Sequence, residues 1–259
     1  VTKFTENGKK FIYNKKTRLV KVSSDIKKEI QSQFTIDKYG ATLMKVGWHV
    51  YEWGDFFQIM DVAARVGSGV GSYGVDRYYV LLKGKDGCLW NNNRKESVIL
   101  DVKYEPIPSV QDVLSPEDKA WYDVMFPNTA ARAVEAQRRL TSYTDPFTGW
   151  IMLQGKAFVV RERSPWKASI DLDMLTNPEE FIGFTEQIAK ITATSHARGT
   201  VGKSPGQFKH VIAYILGHRK DRQTWGTAVA AAAIDYRSQV RMDFECFRDY
   251  VQMNYNTAE

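Results

Sequence analysis

The first part of the chain is dominated by short alternations of apolar and polar side chains, which are typical of strands. Residues 4–22 alternate apolar and basic positions, and we expect a short hairpin or an extended arm there. Two apolar runs, 61–66 and 77–83, flank a glycine-rich stretch, and a third run covers 97–105. These runs predict three strands, with a glycine-rich turn between the first two.

The third of these runs alternates with period two, which assigns its side chains to two faces of a sheet. One face is apolar and the other carries polar groups: Val98, Leu100 and Val102 on the first, Ile99, Asp101 and Lys103 on the second. Lys103 is therefore expected to point away from the apolar face.

Helix signals occur at four places among and after these strands. Residues 24–34 begin with a serine and an aspartate that can cap a helix, and the apolar side chains of 54–60 predict a second helix. Ser115 precedes a proline and two acidic residues, a strong N-terminal signature. Asn128 or Thr129 can then cap a helix that ends near residue 140.

The rest of the chain combines one more hairpin with long helical segments. Residues 149–163 predict two strands joined at Gln154 and Gly155, and the chain is helical from Asn177 onward. In the last segment an alanine-rich stretch, 228–233, is expected to pack closely. A stripe of larger apolar side chains follows it: Tyr236, Val240, Phe244, Phe247 and Val251.

Taken together, these elements predict an α+β protein, with an antiparallel sheet covered by helices on one side and followed by a mostly helical lobe. We expect three parts. Residues 1–60 form a basic N-terminal arm with helices, 61–165 form the sheet lobe, and 166–259 form the helical lobe.

The composition is that of a soluble globular protein. Of the 259 residues, 43% are hydrophobic and 25% are charged, which excludes a disordered polyelectrolyte. No apolar stretch reaches the roughly 18–20 residues of a membrane span, and the first residues lack a secretory signal. The two cysteines, Cys88 and Cys246, form neither a disulfide framework nor a zinc motif, so we expect a reducing, cytoplasmic location.

The net charge of +6 is concentrated near the N-terminus. Residues 1–50 contain 11 Lys plus Arg and 4 Asp plus Glu, so the other residues have a balance of −1. We interpret this segment as a solvated basic arm, because its lysines belong to no motif that reads nucleic acid. Nucleic-acid binding through residues 1–22 stays an alternative.

The glycine-rich stretch is the most informative candidate site. Residues 69–74 read G-V-G-S-Y-G, a match to G-x-G-x-x-G, and glycines let backbone N–H groups approach phosphate oxygens. A dinucleotide-binding fold requires a helix next, but a strand pattern follows. A phosphate-covering flap between two strands, as in protein kinases, fits this context. The candidate residues are Gly69, Gly71, Ser72 and Gly74, and the alternative is a flexible hairpin.

Lys103 is the second candidate, since its strand is similar to the one that carries the phosphate-contacting lysine of kinases. Such a lysine needs a carboxylate on a nearby helix, and Glu135 is the best candidate. The alternatives are a solvated strand lysine and, for Glu135, a surface pair with Arg132 or Arg139.

Charged side chains follow the last predicted strand. These side chains can line a cleft at the junction of the two lobes and hold an anionic group: Arg161, Glu162, Arg163 and Lys167. The alternative is an ordinary charged strand end. The histidines show no metal-ligand spacing, and we predict no metal site.

Several blocks in the same order resemble the bacterial "domain of unknown function 2252" family. They are residues 69–82, 101–105, 133–138, 158–163 and 195–198, within a resemblance that runs from about residue 60 to 250. The resemblance implies a protein-kinase-like fold with an unusual order of parts, in which the catalytic-loop and metal-binding motifs precede the glycine-rich strands. Neither motif occurs in this chain.

The resemblance also implies a nucleotide-phosphate role for the glycines and Lys103, with ATP and Mg²⁺ as cofactors. We therefore expect a nucleotide-binding module of a phosphotransferase, whose catalytic aspartates come from an upstream segment or a second chain. The initial valine suggests processing or truncation. The alternative is a non-catalytic, pseudokinase-like scaffold or regulatory subunit that binds protein. We expect no membrane partner and no nucleic-acid partner.

Overall fold

The protein combines helices with an antiparallel sheet, as the sequence predicts. A computed structural model describes residues 1, 3–43, 57–67, 74–83, 97–164, 170–199, 210, 212–214, 217 and 219–255.

Eight strands are present in this described part. Two of them form a separate hairpin, β1 (Thr5–Glu6) and β2 (Lys10–Phe11). The other six form one sheet in the order β3-β4-β5-β6-β8-β7, in which all neighbours are antiparallel. They are β3 (Leu19–Lys21), β4 (Ile59–Arg65), β5 (Arg77–Leu82), β6 (Val98–Tyr104), β7 (Gly149–Leu153) and β8 (Lys156–Glu162).

The hairpin of β7 and β8 forms where the sequence predicts it. Gln154 and Gly155 both have positive φ, 50° and 74°. Two such residues are what a tight type I′ turn requires, because its twist matches that of the two strands. The turn aligns Leu153 with Lys156 and sets the register of both strands.

The helix predicted for residues 54–60 is wrong over the part that the structure describes. Ile59 pairs with Leu82, so β4 begins at Ile59, and Phe57 is buried just before it. Phe57 packs edge-on against Tyr39. Its apolar side chain therefore belongs to the core in front of β4, and we had interpreted it as part of the buried face of a helix. Residues 54–56 lie outside the described part.

Five helices with bounds can be described, and their starts follow the sequence signals. Ser115 and Asn128 cap the second and third helices, and each accepts a backbone N–H two or three residues into the helix. The first helix is capped by Ser23, one residue before the predicted cap. The helices are α1 (Ser24–Gln33), α2 (Pro116–Met125), α3 (Thr129–Leu140), α4 (Pro178–Gly199) and α5 (Arg219–Tyr255).

Both faces of the sheet are covered. Side chains of one face pack with Ile30 and Phe34 of the α1 region and with Tyr39 of a π-helical turn (Ile36–Gly40). The other face packs with Phe4 and Phe11 of the N-terminal hairpin. The basic N-terminal segment is therefore a folded layer whose hairpin lysines face solvent while Phe4 and Phe11 are buried.

Asp61 connects this layer to the rest of the protein. It is buried, and its carboxylate accepts hydrogen bonds from the Phe11 N–H (3.0 Å), the Tyr13 hydroxyl (3.2 Å), the Lys27 ammonium (3.2 Å) and the Val62 N–H (2.9 Å). Burial and the Asp61 charge raise the pKa of Tyr13 to about 12. Asp61 is thus a structural group with its acceptor capacity used.

The chain divides into two compact units, Val1–Ile191 and Thr192–Glu259. The three-part division of the sequence stays a prediction. In α5, the alanine-rich stretch 228–233 is exposed within the described structure, contrary to the close packing we expected. None of the helices in the described ranges has the length and apolar character needed to cross a membrane.

Candidate functional site

A cavity of about 430 Å³ lies over the second face of the sheet, the face that carries Asp101. Its lining is strongly basic, with six lysines or arginines against three acidic residues. The lining residues are Lys3, Phe4, Lys16, Thr17, Arg65, Arg77, Tyr79, Asp101, Gln137, Asp145, Arg161, Glu162, Arg163 and Ser164.

Two arginines of this cavity lie at the strand ends that flank the glycine-rich stretch. Arg65 is the last residue of β4, and Arg77 is the first residue of β5. The Gly67 carbonyl accepts a hydrogen bond from Arg18 Nη1 at 2.7 Å. Gly74 has a φ of 71°, which a glycine adopts without strain. The predicted phosphate-binding residues Gly69, Gly71 and Ser72 lie outside the described residues.

Asp101 organises the floor of the cavity. Arg77 binds its carboxylate in a two-pronged arrangement, Nε to Oδ1 at 2.6 Å and Nη2 to Oδ2 at 2.5 Å. Arg161 Nη2 lies 3.8 Å from the same Oδ2. The hydrogen bonding of Arg77 to the Asp101 carboxylate raises the pKa of Arg77 above its ordinary value, although burial opposes that shift. Arg77 therefore stays charged and fixed in orientation.

Arg161 and Arg163 both line the cavity, and their role in holding an anion stays a prediction. Lys167 lies outside the described residues. They are two residues apart at the end of β8, so both project to the same side. The Arg163 N–H continues the strand pairing by donating to the Ile99 carbonyl at 2.8 Å. The Arg163 guanidinium lies over the Phe4 ring, 4.3 Å from its centroid, a cation–π contact that holds it in place.

Lys103 lies directly opposite Arg77 in the register of β5 and β6. Both therefore project from the same face, as the alternation predicts. The carboxylate partner that we predicted is wrong, because Lys103 Nζ lies 3.7 Å from Glu105 Oε2. Glu135 instead accepts from Arg138 Nη1 at 2.9 Å, one helical turn away.

The pairing of Glu135 follows from the role of Arg138. Arg138 donates through Nη2 to the carbonyls of Thr42 and Thr148, each at 2.7 Å. The Arg138 side chain is largely buried, and the Glu135 carboxylate places a negative charge beside its guanidinium group. Glu135 thus belongs to a structural contact between α3 and its surroundings, and neither it nor Lys103 is among the cavity-lining residues.

One carboxylate of the cavity, that of Asp145, was not identified from the sequence. Asp145 accepts the backbone N–H groups of Glu162 (2.5 Å) and Phe147 (3.0 Å). Burial, and then the charge of Asp145, raises the pKa of Glu162 above its ordinary value. Nothing local in the sequence indicated that the segment around Asp145 would meet the end of β8.

The sequence analysis also missed the N-terminal contribution to the cavity. Lys3, Phe4 and Lys16 line it, although they are more than 140 residues away from Arg161 and Arg163 in the chain. No local pattern could have located them, because their position depends on how the β1–β2 hairpin packs on the sheet.

The donor set suits phosphate better than it suits a metal ion. Guanidinium groups bind phosphate oxygens through paired N–H donors, and several are present. In contrast, the described residues contain no group of three or more His, Cys, Asp or Glu side chains that could hold a metal. Within the cavity, the carboxylates of Asp101 and Asp145 are engaged in hydrogen bonds to the protein and, in the described part of the chain, are not grouped as Mg²⁺ ligands.

Comparison with known proteins places the chain in one family. No curated protein matches the sequence, and no solved structure matches the fold. The family described as "Uncharacterized protein conserved in bacteria (DUF2252)" matches residues 1–250. The match begins at residue 1, earlier than the resemblance we recognised, so it includes the N-terminal segment that lines the cavity. Since it covers nearly the whole sequence, the chain belongs to the bacterial DUF2252 family.

Proposed function

We propose that this chain is a kinase-like nucleotide-binding module that holds the phosphates of ATP beneath its glycine-rich stretch. The observation that carries the proposal is the convergence of cations at the ends of that stretch. Arg65 and Arg77 terminate the two strands that it joins, and Lys103 stands beside Arg77 on the next strand. Such clusters hold phosphoryl oxygens by charge and hydrogen bonding.

The order of parts along the chain supports the proposal. In protein kinases, a glycine-rich turn joins two strands, a third strand carries the lysine, and a helix carries its glutamate. Here β4 and β5 flank the glycine-rich stretch, β6 carries Lys103, and α3 follows. The difference is that Glu105, on the same chain segment as Lys103, takes the place of a helix glutamate.

A phosphotransferase also needs carboxylates to orient the acceptor hydroxyl and to hold Mg²⁺, which neutralises the phosphate charge. The described residues supply no such metal-binding group. The proposal therefore includes an upstream segment or second chain that provides these carboxylates. The part assigned to this chain is phosphate binding and orientation.

Calorimetric titration of the full chain with Mg·ATP tests the proposal. We expect saturable binding that Lys103→Met weakens by roughly 10- to 150-fold, since a charge-assisted contact contributes about 1.5–3 kcal/mol. Lys28→Met is the matched control, because Lys28 is an exposed lysine on α1. Absence of ATP binding, or equal loss in both variants, would contradict the proposed role of Lys103.

The second candidate function is a non-catalytic scaffold or regulatory subunit. Large apolar side chains are exposed on α4 and α5 in the described structure, among them Phe181, Phe244 and Phe247. Exposed apolar surfaces of this kind commonly mark protein contacts. Light scattering coupled to size exclusion, together with the ATP titration, separates the two candidates. A chain that associates and binds no ATP favours the scaffold.

A further inference from the structure

The charges around the cavity do not balance locally. Of its three carboxylates, Asp101 is bound by Arg77, and Asp145 accepts two backbone N–H groups. Glu162 is half-buried beside Asp145, and even with all three carboxylates ionised the six lysines and arginines of the lining outnumber them. The cavity therefore has a surplus of positive charge that no carboxylate of the lining offsets.

The surplus positive charge includes two guanidinium groups whose N–H donors are not all used in close hydrogen bonds within the described structure. Arg161 is half-exposed and lies 3.8 Å from Asp101 Oδ2, beyond ordinary hydrogen-bond distance. The Arg163 guanidinium makes one long hydrogen bond within the described structure, from Nη1 to the Ser164 carbonyl at 3.4 Å. Both guanidinium groups can therefore turn N–H donors toward a ligand without breaking a strong contact.

One of the two guanidinium groups, that of Arg163, is also held in position before any ligand arrives. The two arginines are two residues apart in extended chain at the end of β8, which puts them on one side and separates their Cα atoms by about 7 Å. Phe4, a buried residue of the N-terminal layer, supports the Arg163 guanidinium from one side. Lys3 and Lys16 extend from that layer into the lining. Pre-positioned donors lose little conformational freedom on binding, which favours affinity.

We infer that this cavity is a binding site for a small oxyanion of two or more negative charges, of the phosphate-ester or pyrophosphate type, held by Arg161 and Arg163 with Lys3 and Lys16. The volume of about 430 Å³ lies within the usual range for small-molecule sites. Guanidinium pairs favour planar or tetrahedral oxyanions that accept two hydrogen bonds from each group. This inference goes beyond ATP binding, because it needs neither the glycine-rich stretch nor Lys103.

Titration of the full chain with sodium pyrophosphate, without Mg²⁺ and at low ionic strength, tests the inference. We expect one binding site, with affinity that falls as salt is added. Arg161→Gln and Arg163→Gln are each expected to weaken pyrophosphate binding about tenfold. Arg248→Gln is the matched control, since Arg248 is an exposed arginine of α5, and it should leave the affinity unchanged.

An exposed lysine provides a second variant whose folding is not at risk. Lys16→Gln alters a solvent-facing side chain and is expected to weaken pyrophosphate binding a few-fold. Failure of pyrophosphate to bind the wild-type chain would overturn the inference. So would binding that all three cavity variants leave unchanged.

Parallel titrations with ATP and with inorganic phosphate identify the source of the oxyanion. Pyrophosphate binding without ATP binding would support this inference and remove the proposed nucleotide function. ATP binding that depends on Lys103, together with no pyrophosphate binding, would do the reverse. Competition between ATP and pyrophosphate would show that the cavity receives the phosphates of the nucleotide, and competition by inorganic phosphate would show that a single phosphoryl group is sufficient.

Discussion

Arg77 and Asp101 form a two-pronged ion pair between neighbouring strands, with contacts of 2.6 and 2.5 Å. They are diagonal neighbours, because Arg77 is aligned with Lys103 and Asp101 with Tyr79. Both side chains are largely buried, with 18% and 5% exposed. The pair thus fixes the first residue of β5, three residues after Gly74, to the neighbouring strand β6.

Removing Arg77 is expected to be costly. In Arg77→Met the carboxylate of Asp101 stays buried after losing its principal partner, which costs roughly 3–5 kcal/mol of unfolding free energy. Asp101→Asn combined with Arg77→Met should recover part of that loss. Urea unfolding measures both. Arg248→Met, which removes an exposed pair, is the control and should have little effect. Equal stability of Arg77→Met and the wild type would show that the pair is unimportant for folding.

The ion pair between Lys103 and Glu105 leads to a separate prediction about nucleotide binding. If Glu105 orients the Lys103 ammonium, Glu105→Gln should weaken Mg·ATP binding severalfold, by loss of a charge-assisted contact. Glu135→Gln should leave ATP affinity unchanged, since Glu135 pairs with Arg138. Calorimetric titration of the two variants checks this directly. The opposite ranking would mean that Lys103 changes its partner when the nucleotide binds.

Glu162 predicts a dependence of stability on pH. Burial and Asp145 raise its pKa in the folded state above the ordinary value of 4.5. The folded state therefore retains the proton to higher pH than the unfolded state. The stability contributed by that proton is complete below pH 4.5 and is lost as the pH rises through the folded pKa.

Glu162→Gln removes the titrating carboxyl group, and with it the loss of stability that accompanies its ionisation. The variant should melt roughly 1–3 °C higher than the wild type at pH 7, a small effect because Glu162 is only half-buried and partly screened. The difference should shrink as the pH falls toward 4.5. Melting curves at several pH values measure this difference in melting temperature. Both proteins retain the neighbouring cations Arg161 and Arg163. A constant difference across that range would contradict the assigned cause.

Gly149 predicts a packing effect that is independent of charge. A methyl group at this position would lie 2.5 Å from Thr42 Oγ1 and 2.9 Å from Leu43 Cδ2. Gly149→Ala should therefore destabilise the fold by about 1–3 kcal/mol. Gly183→Ala is the matched control in α4, where nothing lies within 4 Å. It should stabilise the protein by about 0.5–1 kcal/mol, because alanine favours helices. Urea unfolding of both variants tests whether the sign differs as expected.

Much of the secondary structure follows from signals a few residues long. Ser115 and Asn128 cap helices because their side chains reach backbone N–H groups in the next turn. Gln154 and Gly155 form a tight turn because both accept positive φ. Period-two alternation assigned Lys103 to the polar face correctly. These outcomes depend on local geometry, so the amino-acid sequence alone was sufficient.

The candidate site depended on contacts between distant parts of the chain. The sequence identified Arg161 and Arg163 but did not indicate that Lys3 and Phe4 would lie beside them. It also suggested Glu135 as the partner of Lys103, where the structure has Glu105. Charge and periodicity specify which residue types face a sheet surface, but strand order and register decide which of them meet. Those are set by the packing of the whole sheet with its N-terminal layer, and only the tertiary structure contains them.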